Sequence, residues 1–226
     1  LQHRGGIYGG TYAGLSGRDA MMTSPVYRDN AIPDGEKVVT WLRRDAPFLT
    51  LKSGGESFYV AQVPQRFRDQ LIRAVADLIG EEILFHTLIV GRCSTETIDS
   101  EVRIHSDHSM DCTHAWVWYG TDPPDDPSVE YGTAMYDHVD LGPQFSGTPE
   151  THNCLLQEES NDLTRWTRRQ VLPMRKNRLV VYPSSLFHSR FPYKGWGTSQ
   201  RDGRITIVGF CTTKGHDAKT VDTGTA

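Results

Sequence analysis

The sequence lacks any run approaching the roughly 18 consecutive apolar residues that a membrane-spanning helix needs. It also lacks an excess of positive charge, since 24 Lys and Arg face 28 Asp and Glu in 226 residues, for a net charge of −4. This balance disfavours a nucleic-acid partner. A hydrophobic fraction of 37% with 10% aromatics is too high for a disordered chain. We therefore expect one globular domain that contacts no membrane.

Cysteine is scarce and widely spaced. The four residues Cys93, Cys112, Cys154 and Cys211 form no C-x-x-C or C-x-x-x-C pair, which disfavours a zinc ribbon. Such spacing favours reduced thiols over a disulfide framework. Residues 1–6 carry no apolar segment typical of a secretion signal. Together these features predict a cytoplasmic protein.

The chain divides into a polar first part and a strand-rich second part. Residues 1–60 are rich in Gly, Arg and Asp, and they predict an irregular extension that packs on a core formed by later residues. After Pro64, apolar residues at i, i+4, i+7 and i+8 predict a helix that stops at Gly80. Residues 213–226 are rich in Thr, Asp and Lys, and they predict a flexible tail.

From residue 83 onward the apolar pattern changes to that of short strands. The predicted strands are 83–90, 101–106, 114–119, 129–136, 178–182, 186–191 and 204–210, and a short helix is predicted over 158–169. Because these strands do not alternate with helices, a doubly wound parallel sheet is disfavoured. The pattern predicts a mainly β fold, an antiparallel barrel or sandwich with helices packed outside.

Two histidines and one aspartate form the candidate metal site. His105 and Asp107 lie two residues apart at the end of a predicted strand, so their side chains point to the same face. His188 offers a third ligand from an otherwise apolar strand. Two His and one carboxylate with open positions opposite them form the facial triad of non-haem Fe(II) oxygenases. A second His-x-Asp, His138 with Asp140, leaves two candidate pairs at this point.

The last predicted strand carries a candidate anion site. Arg204 and Thr206 share one face of this strand, whereas Ile205 and Ile207 share the other. A buried arginine needs an anion, and a guanidinium binds a carboxylate through two hydrogen bonds. The alternative is that Arg204 is an exposed residue that follows a turn. The position of Arg204 after His188 favours a carboxylate anchor, to which the Thr206 hydroxyl adds a hydrogen bond.

The order His-x-Asp, distal His and Arg-x-Thr resembles that of the 2-oxoglutarate/Fe(II)-dependent oxygenases. Segments Gly132–His138, 173–182 and 186–189 are similar to those of a largely uncharacterised branch near the prolyl-4-hydroxylase-like enzymes. The resemblance covers residues 83–212 and implies a double-stranded β-helix, which is a jelly-roll or cupin-like barrel with supporting helices outside.

This resemblance also implies roles for individual residues. His105, Asp107 and His188 become the Fe(II) ligands and thereby the catalytic residues, and the pair of His138 with Asp140 is disfavoured. Arg204 becomes the partner of the distal carboxylate of 2-oxoglutarate, with Thr206 supporting it.

The implied reaction is hydroxylation of a C–H bond in an amino-acid-derived small molecule or a peptidyl side chain, with release of succinate and CO2. The carboxylate of Asp107 favours hydroxylation over halogenation, because related halogenases have a small residue there, and desaturation or ring formation stay open as alternatives. Candidate substrate contacts are Arg103, which can meet an anionic group, Trp118 and Tyr136. Aromatic residues in alternating strands are also typical of a core. Two alternatives remain, a non-catalytic double-stranded β-helix that binds a metal or ligand, and a metal-dependent lyase or isomerase on a cupin barrel.

Overall fold

The computed structural model describes residues 23–214, except 54–55, 100 and 109–111. Its elements, in chain order, are β1 (Val26–Arg28), α1 (Gly35–Arg44), β2 (Leu49–Ser53), β3 (Glu56–Gln62), α2 (Gln65–Ile79), β4 (Ile83–Ser94), β5 (His114–Tyr119), β6 (Gly132–His138), α3 (Pro149–Glu158), a 3-10 turn (Leu163–Arg165), β7 (Trp166–Pro173), β8 (Leu179–Pro183), β9 (His188–Phe191) and β10 (Arg204–Thr213). None of the described helices is long and apolar enough to cross a membrane.

Two antiparallel sheets form the barrel. The larger sheet has the order β1-β8-β5-β10-β4-β3-β2, and the smaller sheet has the order β7-β6-β9. An isolated bridge between His105 and His188 places the segment around His105 beside β9, on the free side of the smaller sheet. Strands β8-β5-β10-β4 thus face β7-β6-β9 and this segment, which is the strand order of a double-stranded β-helix. The predicted mainly β fold is confirmed.

Apolar side chains pack against both faces of the larger sheet. Helix α2 buries Phe67, Leu71, Ala74 and Val75 against the outer face of this sheet, and it ends at Gly80. Gly80 has φ +72°, the left-handed conformation that glycine adopts at little cost, so the predicted helix is confirmed. On the inner face, side chains of both sheets pack together in the barrel interior.

Alternate residues of strand β5 belong to the inner and to the outer apolar layer. All six of its residues are buried. Ala115, Val117 and Tyr119 point into the barrel, whereas Trp116 and Trp118 pack on the outer layer with the helices. The same division on β10 turns Ile205 and Ile207 outward, toward the helices.

The prediction of an irregular extension over residues 1–60 is wrong for its described part. Residues 26–53 form β1, α1 and β2, and both β1 and the β2–β3 hairpin join the larger sheet. The apolar residues Val38, Val39 and Leu42 are few, but they fall on one face of α1 and are buried there. Residues 1–22 lie outside the described residues, and so do residues 215–226, which make up most of the predicted tail.

Two further local predictions are wrong. Instead of a helix over 158–169, α3 ends at Glu158 and β7 begins at Trp166. Helix α3 starts earlier because Thr148 caps it, with its hydroxyl accepting from the backbone N–H of Thr151. Segment 101–106 forms no strand beyond the bridge at His105, since Arg103 has φ +43° and donates its backbone N–H to Asn161 Oδ1.

Candidate metal centre and anion site

The structure brings His105, Asp107 and His188 together in a group whose ligand atoms all lie within 4.8 Å of one another. His188 Nε2 is 3.3 Å from Asp107 Oδ2, and His105 Nε2 is 3.7 Å from Asp107 Oδ1. Backbone hydrogen bonds connect the two histidines in both directions, at 3.0 and 2.8 Å. The pairing of the strands therefore sets the separation of the two imidazoles.

Hydrogen bonds also fix the orientation of both rings. His105 Nδ1 lies 2.8 Å from the carbonyl oxygen of Arg103, and His188 Nδ1 lies 3.0 Å from that of Leu186. A carbonyl oxygen only accepts, so in each ring Nδ1 carries the proton and donates it. The unprotonated Nε2 atoms then face the Asp107 carboxylate, in the tautomer that metal-binding histidines adopt.

The electrostatics of the group suit a cation. Burial holds the pKa of His105 well below its ordinary value. His105 is therefore neutral at neutral pH, which is the form that binds a metal. Burial raises the pKa of Asp107, and this carboxylate has no Lys or Arg ion pair among the described residues. A divalent cation would compensate the buried carboxylate, so the donor set fits Fe(II).

The second His-x-Asp pair has other partners. His138 Nε2 lies 2.9 Å from Glu159 Oε2, and its Nδ1 accepts from the backbone N–H groups of Asp140 and Leu141 at 3.2 and 3.3 Å. The Asp140 carboxylate pairs with Arg165. Both nitrogens of His138 are thus occupied, and this pair belongs to no metal-binding group of the described chain.

Arg204 is a buried cation without an anionic partner among the described residues. Its side chain lines the cavity, and the residue is only 5% exposed. Nη2 donates to the carbonyl oxygen of Gly132 at 3.0 Å, whereas the buried Nε has no partner. Burial lowers the pKa of Arg204 to about 10. A buried guanidinium with an unused donor is suited to bind a carboxylate.

One cavity of about 460 Å³ joins the two sites. The triad, Arg204 and Thr206 all line it, so the structure brings the five predicted metal and anion residues together. This volume lies within the range of pockets for small ligands. Arg103, a predicted substrate contact, also lines the cavity.

The structure places Trp118 and Tyr136, the other two predicted substrate contacts, outside this cavity. Trp118 lies on the outer face of β5, where its Nε1–H donates to Asn177 Oδ1 at 2.9 Å. Tyr136 lies in the core on the outer side of the smaller sheet, and its hydroxyl donates to that of Tyr193 at 3.0 Å. Neither side chain reaches the cavity, because each belongs to the residues of its strand that point away from the barrel interior.

The structure adds His152, which the sequence reasoning missed, and it places Tyr119 beside the anion site. Tyr119 lies opposite Thr206 in the sheet, and its ring centroid is 5.9 Å from the Arg204 guanidinium. Its hydroxyl lies 2.7 Å from Thr133 Oγ1 on the facing sheet. In the sequence, Tyr119 stands two residues after Val117 and four after Ala115, so the three side chains lie on one face of β5. The sequence does not show that this face points into the barrel.

A buried histidine supports the metal segment. His152 of α3 is fully buried and lines the cavity. Its Nε2 lies 2.9 Å from Ser106 Oγ and 3.1 Å from the Ser106 carbonyl oxygen. Ser106 is the residue between His105 and Asp107, so α3 holds the segment that carries two of the predicted ligands.

A comparison with protein-family models finds no match, and a search of curated proteins also finds none. Among solved structures, a prolyl-4-hydroxylase from Pseudomonas putida is 14% identical over 84% of this chain and 92% of that chain, with a TM-score of 0.46. A Trichoplax adhaerens prolyl hydroxylase in complex with a hypoxia inducible factor peptide fragment is 12% identical over 84% and 83%, with a TM-score of 0.48. A 2OG-Fe(II) oxygenase family oxidoreductase from Burkholderia pseudomallei is 14% identical over 83% and 85%, with a TM-score of 0.46. The function of this chain is inferred from its own residues.

Proposed function

We propose that the chain is an Fe(II)- and 2-oxoglutarate-dependent dioxygenase. It would hydroxylate a C–H bond of an amino-acid-derived small molecule or a peptidyl side chain. One observation carries this proposal: a partly buried group of two His and one carboxylate lines the same cavity of a double-stranded β-helix as a buried arginine that has no anionic partner among the described residues. The first set of residues suits iron and the second suits the carboxylate of a co-substrate.

His105, Asp107 and His188 would hold the iron, which, together with 2-oxoglutarate and O2, supplies the oxidising power for C–H hydroxylation. In the balanced reaction, one oxygen atom of O2 enters the substrate C–H bond as a hydroxyl group. The other oxidises 2-oxoglutarate, which leaves as succinate and CO2. The Asp107 carboxylate would compensate part of the metal charge, and its presence supports hydroxylation over halogenation.

The remaining cavity residues would orient the co-substrate. Arg204 would bind its distal carboxylate through the unused Nε donor and a second N–H, and the Thr206 hydroxyl lies on the same face of β10. The walls of the barrel exclude water around these groups, which strengthens the ion pair. Arg204 and the triad line the same cavity. A co-substrate whose distal carboxylate binds Arg204 would therefore have its other end toward the triad.

The free thiols at all four cysteines support the proposal of a cytoplasmic location.

Anaerobic addition of Fe(II) and then 2-oxoglutarate tests the proposal. We expect a weak visible charge-transfer band from the iron–2-oxoglutarate chelate, and its loss in His188→Ala. Asp140→Ala in the second His-x-Asp is the matched control and should keep the band. If the wild type binds iron but gives no band, the assignment of the co-substrate is wrong.

Succinate release then separates an oxygenase from a binding module on the same fold. A non-catalytic module would bind Fe(II) and 2-oxoglutarate but release no succinate with any substrate. A lyase or isomerase would require the metal without consuming O2.

A further inference from the structure

An apolar surface extends from the candidate metal centre to the edge of the larger sheet. It consists of inward-facing side chains of β2, β3 and β4 that line the cavity, namely Leu51, Phe58, Val60, Leu88 and Val90. Leu51 and Leu88 are 52% and 53% exposed, although both are large and apolar. We call these five residues the apolar wall. Exposed apolar side chains that continue a cavity are typical of a ligand surface.

The register of the larger sheet connects this wall to the anion site. Thr206 lies opposite Arg92, and Arg92 lies opposite Val60 on the next strand. Directly opposed residues of antiparallel strands share a face, so these side chains form one row across the sheet. Arg92 therefore stands between the predicted co-substrate site and the apolar wall.

Two guanidinium groups flank the ring of Phe58 at this position. The guanidinium carbon of Arg92 lies 4.7 Å from the ring centroid, and that of Arg103 lies 5.1 Å from it. Such cation–π contacts hold the planes of both guanidinium groups beside the ring. Burial raises the pKa of Asp107, whereas the charges of both arginines lower it, which agrees with their position close to the triad.

The charge of Arg92 is only partly compensated. Its Nη2 donates to Asp99 Oδ2 at 2.8 Å, and the same carboxylate pairs with Arg190 Nη1 at 2.7 Å. Two guanidiniums thus share one carboxylate. Neither Nε nor Nη1 of Arg92 has a hydrogen-bond partner among the described residues, and the side chain is 28% exposed. This arrangement can accept a further anion from the cavity.

We propose that the substrate is a small molecule with a free carboxylate and an apolar side chain. The carboxylate binds Arg92, with Arg103 beside it, and the side chain lies on the apolar wall. This inference rests on the proposed function and narrows it. A residue inside a peptide carries an amide at the position of the carboxylate, so the site favours the free amino-acid-type molecule over a peptidyl side chain.

The substrate carboxylate and the co-substrate use different arginines. Arg204 is almost fully buried at the inner end of the cavity, whereas Arg92 is partly exposed beside the wall. Saturating 2-oxoglutarate therefore blocks Arg204 and leaves Arg92 available. Binding of the substrate class can then be measured separately from binding of the co-substrate.

Matched pairs of ligands test this inference. The probes are the N-acetyl derivatives of L-leucine, L-methionine, L-phenylalanine and L-tryptophan, each as the free acid and as the N-methylamide. Calorimetry measures their binding to protein loaded with redox-inactive Zn(II) and saturated with 2-oxoglutarate. We expect at least one acid to bind about tenfold more tightly than its amide, as a charge-assisted hydrogen bond implies.

Variants identify the residues that cause the preference for the acid over its amide. Arg92→Met should reduce the acid preference to less than twofold, whereas Leu51→Ser should weaken an acid and its amide by the same factor. Arg168→Met, an exposed arginine of β7 that pairs with Glu130, is the control and should keep the wild-type preference. If all four amides bind as tightly as their acids, or if Arg92→Met keeps the preference, the inference is wrong.

The same experiment separates failure of this inference from failure of the proposed function. If 2-oxoglutarate binds but no acid is preferred, the dioxygenase proposal stands and the substrate class is wrong. If 2-oxoglutarate does not bind while an acid preference depends on Arg92, the carboxylate site stands and the dioxygenase proposal is wrong.

Discussion

Replacing Arg204 with methionine should stabilise the protein without ligand and disable it for co-substrate binding. The pKa of this arginine falls from 12.5 to about 10 on burial, which corresponds to about 3 kcal/mol of unfavourable desolvation in the charged form. Methionine fills a similar volume without charge, but it leaves the Gly132 carbonyl oxygen without this donor, a loss of about 1 kcal/mol. The expected net effect is a gain of roughly 1–2 kcal/mol in the free energy of unfolding.

The effect on 2-oxoglutarate binding should have the opposite sign. A buried charge pair that loses one partner weakens binding by about 2–5 kcal/mol, so the dissociation constant should rise at least about thirtyfold. Urea denaturation without ligand measures the first quantity, and calorimetry with Zn(II)-loaded protein measures the second. Arg204→Lys, which keeps the charge but not the planar pair of donors, should bind with intermediate affinity.

Either half of this prediction can fail. If Arg204→Met lowers the free energy of unfolding by more than about 2 kcal/mol, the guanidinium is an important structural contact and its desolvation is overestimated. If the affinity for 2-oxoglutarate is unchanged, Arg204 is not its anchor.

Three other predictions concern the metal centre and the helical layer. Alanine at His105, Asp107 or His188 should abolish Fe(II)-dependent turnover while circular dichroism stays unchanged, and full activity in all three variants would contradict the site. Zn(II) affinity, measured by competition with a chelator, should fall as the pH drops toward the raised pKa of Asp107, because its protonation competes with the metal; a flat profile down to pH 4 is the contrary result. Leu71→Ala in α2 should cost about 2–5 kcal/mol of unfolding free energy in urea, whereas Arg73→Ala on the exposed face should cost less than about 0.5 kcal/mol.

The fold was predictable where the signal is local. The helix after Pro64 follows from its apolar period, and β5 follows from a short run of β-favouring residues between turns. Strand β5 is buried on both faces, so its sequence shows no alternation that would mark the inner one. This is why Trp118 was predicted as a substrate contact when its neighbour Tyr119 occupies the barrel interior.

The sequence predicts the order of the site residues along the chain but not which residues lie next to them in the folded barrel. His105, Asp107, His188 and Arg204 stand in an order that resembles the 2-oxoglutarate/Fe(II)-dependent oxygenases, although no family model matches the chain. The position of Arg92 beside Thr206 depends on the pairing of β4 with β10, which joins distant parts of the chain. No local pattern encodes such a register, and the proposed carboxylate site at Arg92 therefore required the structure.

The bridge between His105 and His188 would couple metal binding to the closure of the barrel. The two histidines belong to segments that meet only when the barrel closes, and their backbones bond to each other across the seam. A chain without β9 cannot assemble the centre, so the unfolded state has little affinity for the metal. At a free metal concentration one hundred times the dissociation constant, mass action then adds about 2.7 kcal/mol to stability. An ion bound by the proposed ligands would therefore hold the two segments together, and its removal would make opening of the barrel between them more favourable.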